Sequence, residues 1–107
     1  MREIKFRAWN TVIALYYYNV QTVYDEDIAD SFQDILDNDE LIVEQYTGLK
    51  DKNGVEIYEG DIVKTSDGRI TVVEYKHGSY DPVYWYSSDA IKVIGNIHEN
   101  ADLLGAD

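Results

Sequence analysis

The sequence predicts a mainly β fold, a small barrel or roll of short antiparallel strands with one acidic helix near residues 25–37. Three observations predict it. Runs rich in β-branched and aromatic residues are separated by Gly and Asx turn signals, as in small all-β domains. Only residues 25–37 change to a helical period. At 107 residues and 45% hydrophobic content, the chain has material for one core, and residues 1–107 read as a single domain.

Taken in order, Ile4, Phe6 and Ala8 alternate with Lys5, Arg7 and Trp9, the period-two pattern of a half-buried strand. Residues 11–24 are dense in Val, Ile, Thr and Tyr and read as one or two strands, with a turn near Asn10 or Asn19. Ile28, Phe32, Ile35 and Leu36 then form an apolar stripe at helical spacing, with Asp25 or Asp27 placed to cap the first turn. Asp34 and Asp37 sit at the end where the macrodipole disfavours acids, so docking must hold this helix. Asp37-Asn38-Asp39 breaks the pattern before a short strand at 41–46.

Residues 47–54 read as turn chemistry around Asn53-Gly54, 55–58 as extended chain, and Glu59-Gly60 as a second turn. Residues 61–66 and 69–75, joined by Asp67-Gly68, give the clearest hairpin. Residues 76–82 read as a loop, 83–86 as a short aromatic strand, 90–97 as a last strand, and 99–107 as a loosely held tail.

Composition excludes much chemistry. With no cysteine, disulfides, thiolate zinc sites and cysteine nucleophiles are all absent. His77 and His98 have no thiolates to complete a zinc set, and neither Asp25-Glu26-Asp27 nor Asp37-Asn38-Asp39 has the glycine and distal glutamate of an EF-hand loop. No metal or cofactor is therefore expected. The opening residues offer no apolar stretch of signal-peptide length and nothing approaches a membrane span, so a cytoplasmic location is the default expectation. The formal charge of −12 predicts repulsion from phosphate backbones and anionic lipid. It is concentrated between Arg7 and Lys50, an interval with no Lys or Arg that holds Asp25, Glu26, Asp27, Asp30, Asp34, Asp37, Asp39, Glu40 and Glu44.

Three blocks carry a family resemblance: residues 1–9 (MREIKFRAW), residues 45–63 (QYTGLKDKNGVEIYEGDIV) and residues 93–100 (VIGNIHEN). Together they resemble the YopX family of small phage and prophage proteins. The resemblance implies a compact β-rich fold of SH3-like barrel character, encoded in a phage or prophage and hence acting in a bacterial host cell, with no established enzymatic role. It transfers no catalytic residues. The family continues the last block with a proline where this chain has Ala101, and residues 10–40 lie outside the matching blocks, so the acidic helix reads as this member's own.

The candidate binding residues are Lys50, Asp51, Asn53, Glu56, Tyr58, Glu59 and Asp61, polar groups gathered around glycine turns, together with Tyr84 and Trp85. The alternative is that Thr47, Asp51 and Asn53 satisfy backbone donors while the glycines supply special dihedrals. Glu56, Glu59 and Asp61 are carboxylates of the kind used in acid–base work, but nothing nominates a nucleophile or an oxyanion site, and no enzyme is expected. Tyr16-Tyr17-Tyr18 and Tyr84-Trp85-Tyr86 are explained by cross-strand pairs or an interface.

Three readings of function follow. The first is a non-catalytic module that binds a protein partner or itself, as a homo-oligomer covering a barrel edge. The second is an acidic decoy, in which residues 25–44 imitate DNA phosphates for a host nucleic-acid-binding protein. The third is direct nucleic-acid binding through Arg2, Lys5, Arg7, Lys50 and Lys52, which the net charge opposes.

Overall fold

The computed structural model describes residues 4–22, 32–83 and 86–105. Its strands are β1 (Phe6–Asn10), β2 (Leu15–Tyr18), β3 (Leu41–Lys50), β4 (Glu56–Tyr58), β5 (Asp61–Thr65), β6 (Ile70–Val72), β7 (Glu74–Lys76), β8 (Ser79–Asp81) and β9 (Ile91–Asn96), with one α-helix, α1 (Phe32–Leu36). The fold is mainly β. The chain divides into two compact units, Met1–Tyr46 and Thr47–Asp107.

In the first unit β1 is flanked by β2 and β3 in antiparallel register, with Ala8 opposite both Tyr17 and Val43. Pleating sends Phe6, Ala8, Tyr17, Leu41 and Val43 to one face, where Val20, Phe32 and Ile35 cover them. Ile35 is fully buried. A five-residue helix has no stability of its own, so burial of this side chain, worth about 2 kcal/mol, fastens α1. Of the predicted helix, Asp25, Asp27 and Ile28 lie outside the described residues. Leu36, expected on its apolar stripe, is exposed.

The turn between β1 and β2 is built by Asn10. Its side-chain oxygen accepts the Val12 and Ile13 amides at 2.9 and 3.2 Å, and Ala14 donates back to the Asn10 carbonyl. Asn19, with φ of 58°, ends β2, so both alternatives mark a change of direction.

The second unit holds the 47–50 part of β3 beside β4, a three-stranded β6-β5-β9 sheet and the β7-β8 hairpin. Its core comprises Ile57, Val63, Val73, Tyr80, Val83 and Ile91. The β5-β6 hairpin forms as predicted, through a three-residue loop in which the Gly68 amide donates to the Thr65 carbonyl and Gly68 adopts φ of 89°.

Four expectations are corrected. The strand at 41–46 continues through Lys50, so residues 47–50 are strand rather than turn, and Gly48 at φ of 89° accommodates the bend within it. The second arm of the hairpin is interrupted at Val73, whose amide donates to the Asp61 carbonyl, and Glu74–Lys76 leaves to pair with Ser79–Asp81. Residues 76–82 are thus largely hairpin, turned by His77 and Gly78 at φ of 51° and 87°, the left-handed pair that a two-residue β-turn requires. The tail as far as Gly105 is a folded 3-10 turn over Ala101–Leu104, with Gly105 at φ of 70°. Of the aromatic strand expected at 83–86, Tyr84 and Trp85 lie outside the described residues.

Candidate functional site

The turn segment singled out from the sequence is a device for satisfying backbone. Asp51 is buried, and its carboxylate accepts the Asn53, Val55 and Val93 amides at 2.8, 2.9 and 2.9 Å. Burial pushes this carboxyl up, but the three amides and the neighbouring Lys52 charge outweigh it and hold it below its ordinary value. One side chain thereby ties the 51–55 turn to β9. Asp61 is equally buried and accepts the Tyr58 amide at 2.8 Å across Gly60, whose φ of 88° sets the bend. Thr47 donates its hydroxyl to the Ile57 carbonyl at 2.7 Å and accepts the Leu49 amide.

Asp51, Tyr58 and Asp61 are therefore withdrawn from any surface presented to a partner, because each is less than 5% exposed. Lys50 and Asn53 are exposed, while Glu56 and Glu59 are half-buried. The described members of the predicted set thus do not form one accessible face, and Tyr84 and Trp85 lie outside the described residues. The block at 93–100 works in the same way: Asn96 accepts the His98 and Glu99 amides, and Asn100 accepts the Asn96 amide at 3.1 Å. Asn100 packs so closely on Gly95 that a Cβ there would lie 2.6 Å from its Oδ1.

A polar cluster that sequence reasoning did not assemble lies in the first unit. Arg7 and Glu44 are opposite one another in the β1-β3 register and both are buried. Arg7 donates Nε–H to Glu44 Oε1 at 2.8 Å, and the Tyr16 hydroxyl donates to the same oxygen at 2.9 Å. The Arg7 guanidinium lies 4.3 Å from the Tyr16 ring centroid, and Trp9 meets Tyr16 edge-on. Two consequences follow for the sequence readings. Arg7 is removed from any surface basic patch, and Glu44 from the acidic face, which among the described residues keeps Asp34, Asp37, Asp39 and Glu40 exposed. Arg2 lies outside the described residues.

In the hairpin of the second unit, Asp67 accepts from the Thr65 hydroxyl and, at 3.2 Å, from the Tyr86 hydroxyl, contacts that hold its carboxyl below the ordinary value. Asn38 of the 37–39 acidic triplet uses its side chain to accept the Glu40 amide, leaving it a turn former. Among the described residues no group of His, Asp and Glu side chains converges to hold a metal ion, and no helix is long and apolar enough to cross a membrane.

Exposed apolar side chains are spread over the described residues, Ile4, Leu36, Val55 and Tyr75 among them, and the β1-β2 hairpin carries four. Val12 and Ile13 in the turn are 66 and 55% exposed, and Leu15 and Tyr18 on β2 are 52 and 57% exposed, on opposite faces of the strand. Among the described residues β2 is the last strand of its sheet order. The signal was present in the sequence within the β-rich run at 11–24, which was read there as one or two strands.

Residues 5–105 match the family model described as YopX protein, a span that includes residues 10–40. The crystal structure of protein EF1440 from Enterococcus faecalis is similar to this chain, with a TM-score of 0.69 and 30% identity over 97% of this chain and 99% of that one. No curated protein matches the chain.

Proposed function

We propose, since the chain belongs to the YopX family, that it works as a non-catalytic protein-interaction module of a phage or prophage, docking a protein partner on its β1-β2 hairpin. The observation that carries this reading is the exposure of Val12 and Ile13 in the turn, with Leu15 beside them at the start of β2. Exposed apolar groups on a hairpin turn gain free energy when covered, and a rigid turn presents them at little entropic cost. Asn10 supplies that rigidity through two side-chain hydrogen bonds. The polar groups elsewhere support the same reading, since the Arg7–Glu44–Tyr16 cluster and the Asp51 and Asp61 carboxylates are each engaged in holding backbone or one another.

A pull-down from bacterial lysate with three baits tests it: the wild type, Val12→Asp/Ile13→Asp, and a form with Asn or Gln at Asp34, Asp37, Asp39 and Glu40. The module reading expects a partner held by the wild type and the acid-neutralised form and lost from the hairpin variant. A partner lost only on neutralising the acids supports the decoy instead.

A further inference from the structure

The geometry points to an anion site in the second unit, a groove of about 270 Å³ that takes the phosphoryl group of a small phosphorylated ligand. It goes beyond the interaction reading, which concerns another surface. Lys52, Lys64 and Lys92 line the groove, so three of the nine basic residues in a chain of net charge −12 converge there. The fold itself forces them together. Lys64 and Lys92 are Cα partners in the antiparallel β5-β9 pair, which sets their Cβ atoms about 5 Å apart on one face. The Lys52 amide donates to the Ile91 carbonyl at 3.0 Å, bringing a third ammonium beside the start of β9. From the other side the Ser66 amide donates to the Ala90 carbonyl at 2.9 Å, which brings Ser66 into the lining.

Like charges directly opposite one another destabilise a sheet, and such a pair is ordinarily offset by a neighbouring carboxylate. Here, among the described residues, no carboxylate stands within ion-pair distance of any of the three ammonium groups. Asp89 is the one acid in the lining, whose three positive charges and one negative sum to +2, while the Asp51 carboxylate next to Lys52 in the chain is outside the lining and turned to the Asn53, Val55 and Val93 amides. That balance suits a phosphoryl dianion better than a single carboxylate. Size and field favour a small ligand over a polymer. The volume falls below the range of about 300–1,000 Å³ typical of drug-sized pockets. A nucleic acid would extend beyond the groove into the field of a strongly acidic chain, whereas a small dianion stays within about one Debye length, ~8 Å, of the lysines.

The test is amide chemical-shift titration of the full chain at low ionic strength with inorganic phosphate, adenosine monophosphate and a single-stranded oligonucleotide, against sodium chloride at matched ionic strength. Saturable shifts at Lys52, Lys64, Ser66 and Lys92 with phosphate and the monophosphate, and none with chloride, are expected. If only the monophosphate saturates, the ligand is an organic phosphate; if both do alike, the phosphoryl group alone is recognised. Lys64→Gln and Lys92→Gln should each weaken binding on the order of tenfold, as loss of a charge-assisted hydrogen bond does. Each should also raise Tm at low salt, a gain that confirms folding and reports relief of the opposed pair. Shifts reproduced by chloride, variants that bind as the wild type does, or an oligonucleotide that binds the groove more tightly than the monophosphate would each overturn the assignment.

Discussion

Replacing Asp51 by Asn changes one atom of a buried side chain and removes most of what that side chain does. The carboxylate accepts the Asn53 and Val55 amides on one oxygen and the Val93 amide on the other. An Asn oriented to keep the first two turns its NH2 toward the Val93 N–H, so one charge-assisted bond, about 1.5–3 kcal/mol, is replaced by two facing donors. The two remaining bonds fall from charged to neutral acceptors, and the expected loss is roughly 3 kcal/mol. Against a total stability on the order of 5–15 kcal/mol this lowers Tm by about 10–20 °C.

The pH dependence gives an independent handle on the same residue. The folded-state pKa is held below its ordinary value of 3.8, so the stabilisation is fully present above that value and is lost as pH falls through the lower folded pKa. Urea denaturation of both proteins should therefore show a gap that is constant from pH 7 to about 5 and closes as the solution is acidified further. A gap below about 0.5 kcal/mol at pH 7, or one that persists unchanged to pH 2, would refute the role assigned to Asp51.

Two further substitutions probe the remaining polar and close-packed sites. Glu44→Gln removes the carboxylate charge that accepts from the buried Arg7 guanidinium and should cost about 3–5 kcal/mol, whereas Arg7→Met/Glu44→Leu should recover most of that stability; equal losses in chemical denaturation would show that the pair acts through something other than charge. Gly95→Ala drives a methyl to within 3 Å of the Asn100 side chain and should destabilise the chain by about 1–3 kcal/mol, with the loss of the Asn96–Asn100 hydrogen bond visible as faster amide exchange at Asn96; a neutral effect would contradict the packing.

The β character and most strand positions were legible because period-two patterning and turn residues are local signals. The Asp67-Gly68 hairpin is the plainest instance, since loop type and flanking strands are encoded within fifteen residues. His77-Gly78 was missed because the strong two-residue turn signals are Asn-Gly, Asp-Gly and Gly-Gly, and His-Gly is not among them. Continuation of β3 past Tyr46 was hidden by Gly48, which looks like a terminator and here only bends the strand.

Site geometry was less legible, because it depends on register. Glu44 reads in sequence as part of an acidic run, yet it is buried because strand register sets it opposite Arg7, 37 positions away. Asp51 and Asn53 look alike as turn residues, but only the Asp51 side chain reaches across to β9. The lysine groove unites positions 52, 64 and 92, which no local pattern connects. In the run at 11–24, read as one or two strands with a turn near Asn10 or Asn19, the four-residue turn after Asn10 leaves Val12 and Ile13 exposed, an outcome set by the Asn10 side-chain hydrogen bonds.

The most direct test of the docking surface is backbone hydrogen exchange of the chain alone and in complex with the partner retained by the wild-type bait. The account predicts that protection on binding is centred on residues 11–18 and is abolished in Val12→Asp/Ile13→Asp. Protection centred on residues 34–40, with 11–18 unchanged, would contradict it.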